Sequence, residues 1–102
     1  MAKNRLSLQT LLEEILGSRN VYYQPPENVK LKYPCIVYEL NNIVTKKADD
    51  LNYLKNDRYA VTLIHRDPDN TVFRTIQDLQ YCELDRTFVT DNLYHYVFTL
   101  FY

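Results

Sequence analysis

The sequence predicts an α+β domain, in which a mostly antiparallel sheet of about five strands carries two helices on one face, in the order α-β-β-β-α-β-β. Two segments, 7–16 and 70–80, place apolar side chains at the spacing of a helix with one apolar face. Five other segments are short runs of β-branched and aromatic residues bounded by turn residues. At 102 residues, the chain has the size of one domain, 1–102.

The first helix is predicted from Ser7 to Leu16. Ser7 can cap its start, and Gly17 follows the last apolar residue, where a left-handed conformation closes many helices. The apolar face consists of Leu8, Leu11, Leu12, Ile15 and Leu16.

Three strands follow. The first, Val21–Tyr23, is predicted to be a short edge strand because Pro25 and Pro26 end it. The second is predicted over 35–43 and the third over 58–65. Between them, residues 45–57 lack a clean period and predict a loop, whose length is typical of a functional segment.

A turn over 67–70 precedes the second helix, for which Asp69 or Asn70 can serve as the cap. The last third predicts a hairpin of strands 82–89 and 93–101 around Asp91-Asn92, residues that tolerate the positive φ of a tight turn. Cys82, Leu84 and Phe88 are expected on one face of the first hairpin strand, and the buried face of the helix is expected to consist of Val72, Phe73, Ile76 and Leu79.

The last strand is apolar on both faces. One face is predicted to consist of Tyr94, Tyr96, Phe98, Leu100 and Tyr102, and the other of Leu93, Val97 and Phe101 with His95 and Thr99. Because two short helices can cover only one face of the sheet, aromatic surface should remain, and such surface usually binds a partner.

Composition excludes several classes of function. A net charge of -1 gives no overall field for nucleic acid or an anionic membrane. A single glycine excludes the glycine-rich loops that bind nucleotide phosphates. No apolar run approaches the roughly 20 residues of a membrane span, and a cytosolic protein is expected. Cys35 and Cys82 are expected to be buried thiols.

The candidates for chemistry have simpler explanations. His65 and His95 fall on strands, and a Cys–His pair with either cysteine would lack an orienting third group. Asp67 and Asp69 fit a turn and a helix cap, since the calcium-loop pattern is missing. We therefore expect no catalytic residue, no metal and no cofactor.

The tyrosines allow two interpretations. Tyrosine on a sheet can stack unpaired bases, but the most aromatic strand, 93–102, contains no Lys or Arg to bind phosphates. A protein interface is the better interpretation, since the tyrosine ring supplies area and its hydroxyl a polar rim. The candidate interface residues are Lys46, Lys47, Leu51, Tyr53, Leu54 and Lys55 in the loop, and Tyr94, Tyr96 and Tyr102 on the last strand.

Over nearly its whole length, the sequence resembles small tail-completion and tail terminator proteins of long-tailed bacteriophages. The stretches that carry the resemblance are Arg5-Leu6-Ser7-Leu8-Gln9 with Leu12, Glu13, Ile15 and Leu16; Asn20-Val21-Tyr22-Tyr23-Gln24-Pro25-Pro26; Tyr33-Pro34 with Ile36-Val37-Tyr38; Tyr59, Val61-Thr62 and Ile64 before Asp67-Pro68-Asp69; and Asp91-Asn92-Leu93 with His95-Tyr96-Val97-Phe98.

The resemblance implies a structural virion protein and not an enzyme. Six copies would form a ring on the head-proximal end of the tail tube, end tube polymerisation and present a surface for joining the head. The implied partners are copies of the chain, the tail tube protein and the head connector or neck proteins. The implied location is the virion, and the host cytoplasm during assembly.

Two alternatives stay open at this point. One is a neck adaptor that binds portal-side proteins without capping the tube, and the other is a small nucleic-acid-binding module. Mixing the protein with polymerising tail-tube subunits distinguishes the first alternative from a terminator, because only a terminator should bind tube ends and halt growth. Salt-sensitive binding to single-stranded nucleic acid would favour the second.

Overall fold

The computed structural model describes residues 4–41 and 57–102. Within them, the fold is the predicted α+β class, with two helices and a five-stranded, mostly antiparallel sheet in the predicted order. The elements are α1 (Arg5–Leu16), β1 (Val21–Tyr23), β2 (Cys35–Leu40), β3 (Arg58–His65), α2 (Val72–Gln77), β4 (Cys82–Thr90) and β5 (Leu93–Phe101).

Helix α1 begins at Arg5, two residues earlier than predicted, because Asn4, not Ser7, caps it. The Asn4 Oδ1 atom accepts a hydrogen bond from the Leu6 N–H at 2.7 Å. Ser7 lies inside the first turn, where its hydroxyl donates to the Asn4 carbonyl. Gly17 closes the helix as predicted, with φ of 81° and its N–H bonded to the Glu13 carbonyl at 2.8 Å.

The strand order across the sheet is β1-β2-β3-β5-β4, so β1 and β4 form the two edges. Strand β1 is the edge strand that the prolines predict. It pairs with β2 in parallel, with Val21 opposite Ile36, and all other neighbouring strands are antiparallel. Strand β2 ends at Leu40. Residues 42 and 43, to which it was predicted to extend, lie outside the described residues.

Both helices pack on one face of the sheet, which we call the covered face. Leu8 and Leu12 of α1 and Ile76 of α2 are fully buried there. Full burial of such a side chain contributes about 1.5–3 kcal/mol, so each of these three residues stabilises the packing of its helix on the sheet. The sheet residues beneath the helices are Val21, Ile36, Tyr38, Tyr59, Val61, Leu63, Tyr96, Phe98 and Leu100.

Asn70 secures the start of α2. The formal N-cap, Thr71, makes no capping side-chain bond. Instead, the Asn70 Oδ1 atom accepts the Phe73 N–H at 3.2 Å, and its amide donates to the Asp67 carbonyl at 2.8 Å. Of the two predicted caps, Asp69 and Asn70, the second is therefore the one that acts. Helix α2 ends at Gln77, and the predicted face residue Leu79 packs partly against the core from beyond it.

A β-bulge in β4 changes the faces predicted for this strand. Leu84 lies opposite Phe98, but Arg86 lies opposite the next residue, Val97, so Asp85 is the extra residue. Beyond the bulge the alternation is inverted. Phe88, which was predicted to share a face with Leu84, lies opposite His95 on the other face.

Candidate interaction surface

The face of the sheet opposite the helices is the candidate site, and we call it the open face. Within residues 4–41 and 57–102, no helix or strand packs on it. The register places Val37, Thr62 and Val97 side by side across three strands. The uncharged members of the open face between β2 and β4 are Val37, Ala60, Thr62, Leu93, His95, Val97, Thr99 and Phe101, all half-buried, and Phe88 and Thr90, which are exposed. The same register places the charged residues Glu39, Arg58, Glu83 and Arg86 on this face.

The β1 end of the open face is closed by the chain itself. Tyr22 lies opposite Val37, and its hydroxyl accepts the Lys32 N–H at 3.4 Å, which brings the β1–β2 connection back to this end. Cys35 and Ile64 are 0% and 7% exposed. Burial raises the pKa of the Cys35 thiol to about 11, so it stays protonated at neutral pH.

The β4 end of the open face is aromatic and accessible. The rings of Phe88 and His95 stack with centroids 4.5 Å apart and 12° between their planes. The Arg86 guanidinium lies 5.6 Å from the Phe88 ring centroid. Phe88 is 41% exposed. Aromatic residues and arginine are both enriched at protein interfaces, so this pair of side chains is typical of such a surface.

The predicted tyrosines lie on the covered face, and Tyr96 belongs to the core. Its ring stacks on Phe73 at 4.7 Å and 5°, its hydroxyl accepts from the Asn70 amide at 3.3 Å, and it is 8% exposed. Tyr94 is half-buried and packs against the core. The Tyr102 hydroxyl donates to the Ser7 hydroxyl at 3.1 Å. Tyr96 is therefore a core residue, contrary to the prediction that it lies at an interface.

The predicted loop residues Lys46, Lys47, Leu51, Tyr53, Leu54 and Lys55 lie outside the described residues, and their role stays a prediction.

The open face contains functional candidates that the sequence did not single out. Leu93, Val97 and Phe101 of β5 share their face with the polar residues His95 and Thr99, whereas the opposite face carries only Tyr, Phe and Leu. This difference is the one signal in the sequence for which face the helices would cover. Phe88 was assigned to the wrong face because of the bulge. Thr62 and Val37 lie side by side on the open face because β2 pairs with β3. The local sequence does not indicate which strands pair.

The cysteines and histidines that could have formed a Cys–His pair do not lie close together. Cys35 and His95 both lie opposite Ile64, on either side of β3, so two strand spacings, about 10 Å, separate them. The pKa of Cys82 is raised to about 11 by burial and by the Asp85 and Glu83 carboxylates. A protonated thiol is a weak nucleophile, so neither cysteine is activated.

His65 accepts the Asp67 N–H at Nδ1, at 3.0 Å, and its pKa is lowered by burial. Because Nδ1 accepts this hydrogen bond, the bond favours the neutral form of the His65 ring. Over residues 4–41 and 57–102, no three His, Cys, Asp or Glu side chains are grouped so as to hold a metal ion. None of the helices in this part of the chain is long and apolar enough to cross a membrane.

Comparisons of the chain with protein-family models, with curated proteins and with solved structures return no match.

Proposed function

We propose that this protein is a structural subunit of a long-tailed bacteriophage that caps the head-proximal end of the tail tube. In this proposal it ends tube polymerisation and offers the surface to which the head joins. The observation that carries the proposal is the open face, which presents apolar and aromatic side chains while both described helices lie on the opposite side.

The composition of the open face supports assembly. Its middle is a mixed row of Val37, Thr62 and Val97, and its accessible end is Phe88 stacked on His95. Partly apolar surface of this kind is stabilised by contact with another protein, because contact removes it from water. A site on paired strands also suits a fixed geometry, since strands hold side chains in place more precisely than loops do.

The sequence resemblance supports the specific role. The stretches that resemble tail terminators include Val37, Thr62, His95 and Val97, four residues of the open face. A ring of identical subunits needs two different patches that meet head to tail. We propose that the open face is one of them and that the segment 46–55, with Leu51, Tyr53 and Leu54, contributes to the other.

The direct experiment adds the protein to polymerising tail-tube subunits of the phage that encodes it, followed by electron microscopy. A terminator shortens the tubes and adds a ring of density at one end. Unchanged tube lengths and bare ends would contradict the capping function. If the protein then bound portal-side proteins, the neck adaptor would replace it.

A variant tests the contribution of the loop. Tyr53→Ser with Leu54→Ser should leave the monomer folded, by far-UV circular dichroism, while abolishing binding to tubes. Loss of folding would instead assign these two side chains to the core and refute their role in assembly.

A further inference from the structure

We infer that two copies of the free protein pair through the outer edges of their β4 strands, antiparallel and about a two-fold axis, over residues 86–90. This contact goes beyond the proposed function. It is closed by its own symmetry, so it is distinct from the head-to-tail contacts of a ring.

The two edges of the sheet differ in how they are protected. Strand β1 has three residues, and the outward carbonyl of Val21 is occupied by the Gln9 amide at 3.0 Å. Pro25, which lacks an N–H, follows it closely. Strand β4 has nine residues and lies at the opposite edge. An edge strand leaves alternate N–H and C=O groups without a partner, which is a template for pairing.

Only half of the β4 edge carries the usual protection. The first half has the bulge at Asp85 and the charges of Glu83, Asp85 and Arg86. The second half, Thr87-Phe88-Val89-Thr90, is uncharged and is made of residues that favour strands. Phe88 and Val89 are 41% and 60% exposed and lie on opposite faces, so an added strand would gain apolar contact on both.

A second copy is the occupant that fits this edge. Among the described strands, β4 is the only long edge, so joining two open edges requires β4 against β4. Two β4 strands related by a two-fold axis run in opposite directions, so their pairing is antiparallel. Antiparallel pairing is slightly more stable per residue than parallel pairing.

Arg86 and Asp91 lie at opposite ends of this half-strand and carry opposite charges. An antiparallel pairing centred on Phe88 brings Arg86 of each copy alongside Thr90 and Asp91 of the other. The Asp85 carboxylate would also come near Asp91 of the other copy and repel it. Asp85 is the bulged residue, outside the ladder, and its carboxylate accepts the Thr99 hydroxyl of its own chain at 2.5 Å. The two Arg86–Asp91 contacts favour the register that pairs the apolar residues.

The first test measures the mass of the full chain by light scattering over about a hundredfold range of concentration. We expect a species of twice the 12.2 kDa of one chain that dissociates on dilution. Val89→Lys should raise its dissociation constant at least about tenfold, because a lysine on an edge opposes strand addition. Val29→Lys, at another exposed valine that lies in the β1–β2 connection and not on β4, should leave it unchanged.

A double-mutant cycle tests the pairing itself. Arg86→Gln and Asp91→Asn should each weaken the dimer, and the double variant should be no weaker than the worse single one, because both remove the same contact. Circular dichroism confirms that the variants fold. A monomer at all concentrations, a dimer insensitive to Val89→Lys, or additive effects in the cycle would each overturn the inference. Tube capping is measured separately with the wild-type protein, so the failure of the dimer and the failure of the proposed function are distinguishable.

Discussion

At the scale of single residues, buried polar groups determine where elements begin. Asn70 is 8% exposed and links three parts of the fold: the Asp67 carbonyl, the Phe73 N–H and the Tyr96 hydroxyl. The sequence predicts a cap at 69 or 70, because both residue types suit the position. The choice between them depends on which side chain tertiary contacts bury, and no local pattern contains that information.

Asn70→Ala should lower the free energy of unfolding by about 1–3 kcal/mol, since it leaves the Phe73 N–H and the Tyr96 hydroxyl without this partner. Urea unfolding measures the effect. Asp69→Ala is the matched control, because the Asp69 side chain is exposed, and it should change stability by less than about 0.5 kcal/mol. Equal costs at the two positions would contradict the assignment of the cap.

His65 should make stability depend on pH. Burial lowers its pKa in the folded protein, and the neutral ring accepts the Asp67 N–H at Nδ1. The unfolded chain therefore takes up a proton first as the pH falls, so stability should decrease from about pH 6.5 downward. His65→Gln should remove this part of the decrease. Parallel curves of unfolding free energy against pH for the two proteins would be inconsistent with it.

At the scale of elements, patterns of apolar residues predicted the type and order of every described helix and strand. They failed where one residue interrupts a pattern. The bulge at Asp85 leaves no mark on composition, yet it moves Phe88 to the open face. The parallel pairing of β1 with β2 was also unforeseen, because it depends on the path of the connection between them.

The hairpin turn gives a prediction for an element. Asp91 and Asn92 have φ of 54° and 62°, as the tight turn that the sequence predicts requires. Asn92→Val should cost about 1–2 kcal/mol, because a β-branched residue is strained in the left-handed region. Asn92→Gly should retain or raise stability. Thermal unfolding compares the two, and equal melting temperatures would contradict this conformation.

At the scale of the whole molecule, the sequence predicted that two helices cannot cover both faces of the sheet but not which face stays open. Both sides of β5 carry large apolar residues. His95 and Thr99 interrupt the side of Val97, which lies on the open face, and the uninterrupted side of Tyr96 is the one that α1 and α2 cover. The central claim is that assembly on the tail tube uses the open face.

A matched pair of variants in the tube-capping experiment tests that claim most directly. Thr62→Lys adds a charge to the middle of the open face, whereas Thr10→Lys adds the same side chain to the exposed side of α1. We expect both to fold, by circular dichroism, and only Thr10→Lys to shorten the tubes as the wild type does, because burying an unpaired lysine in a contact is costly. Normal capping by Thr62→Lys would contradict the account.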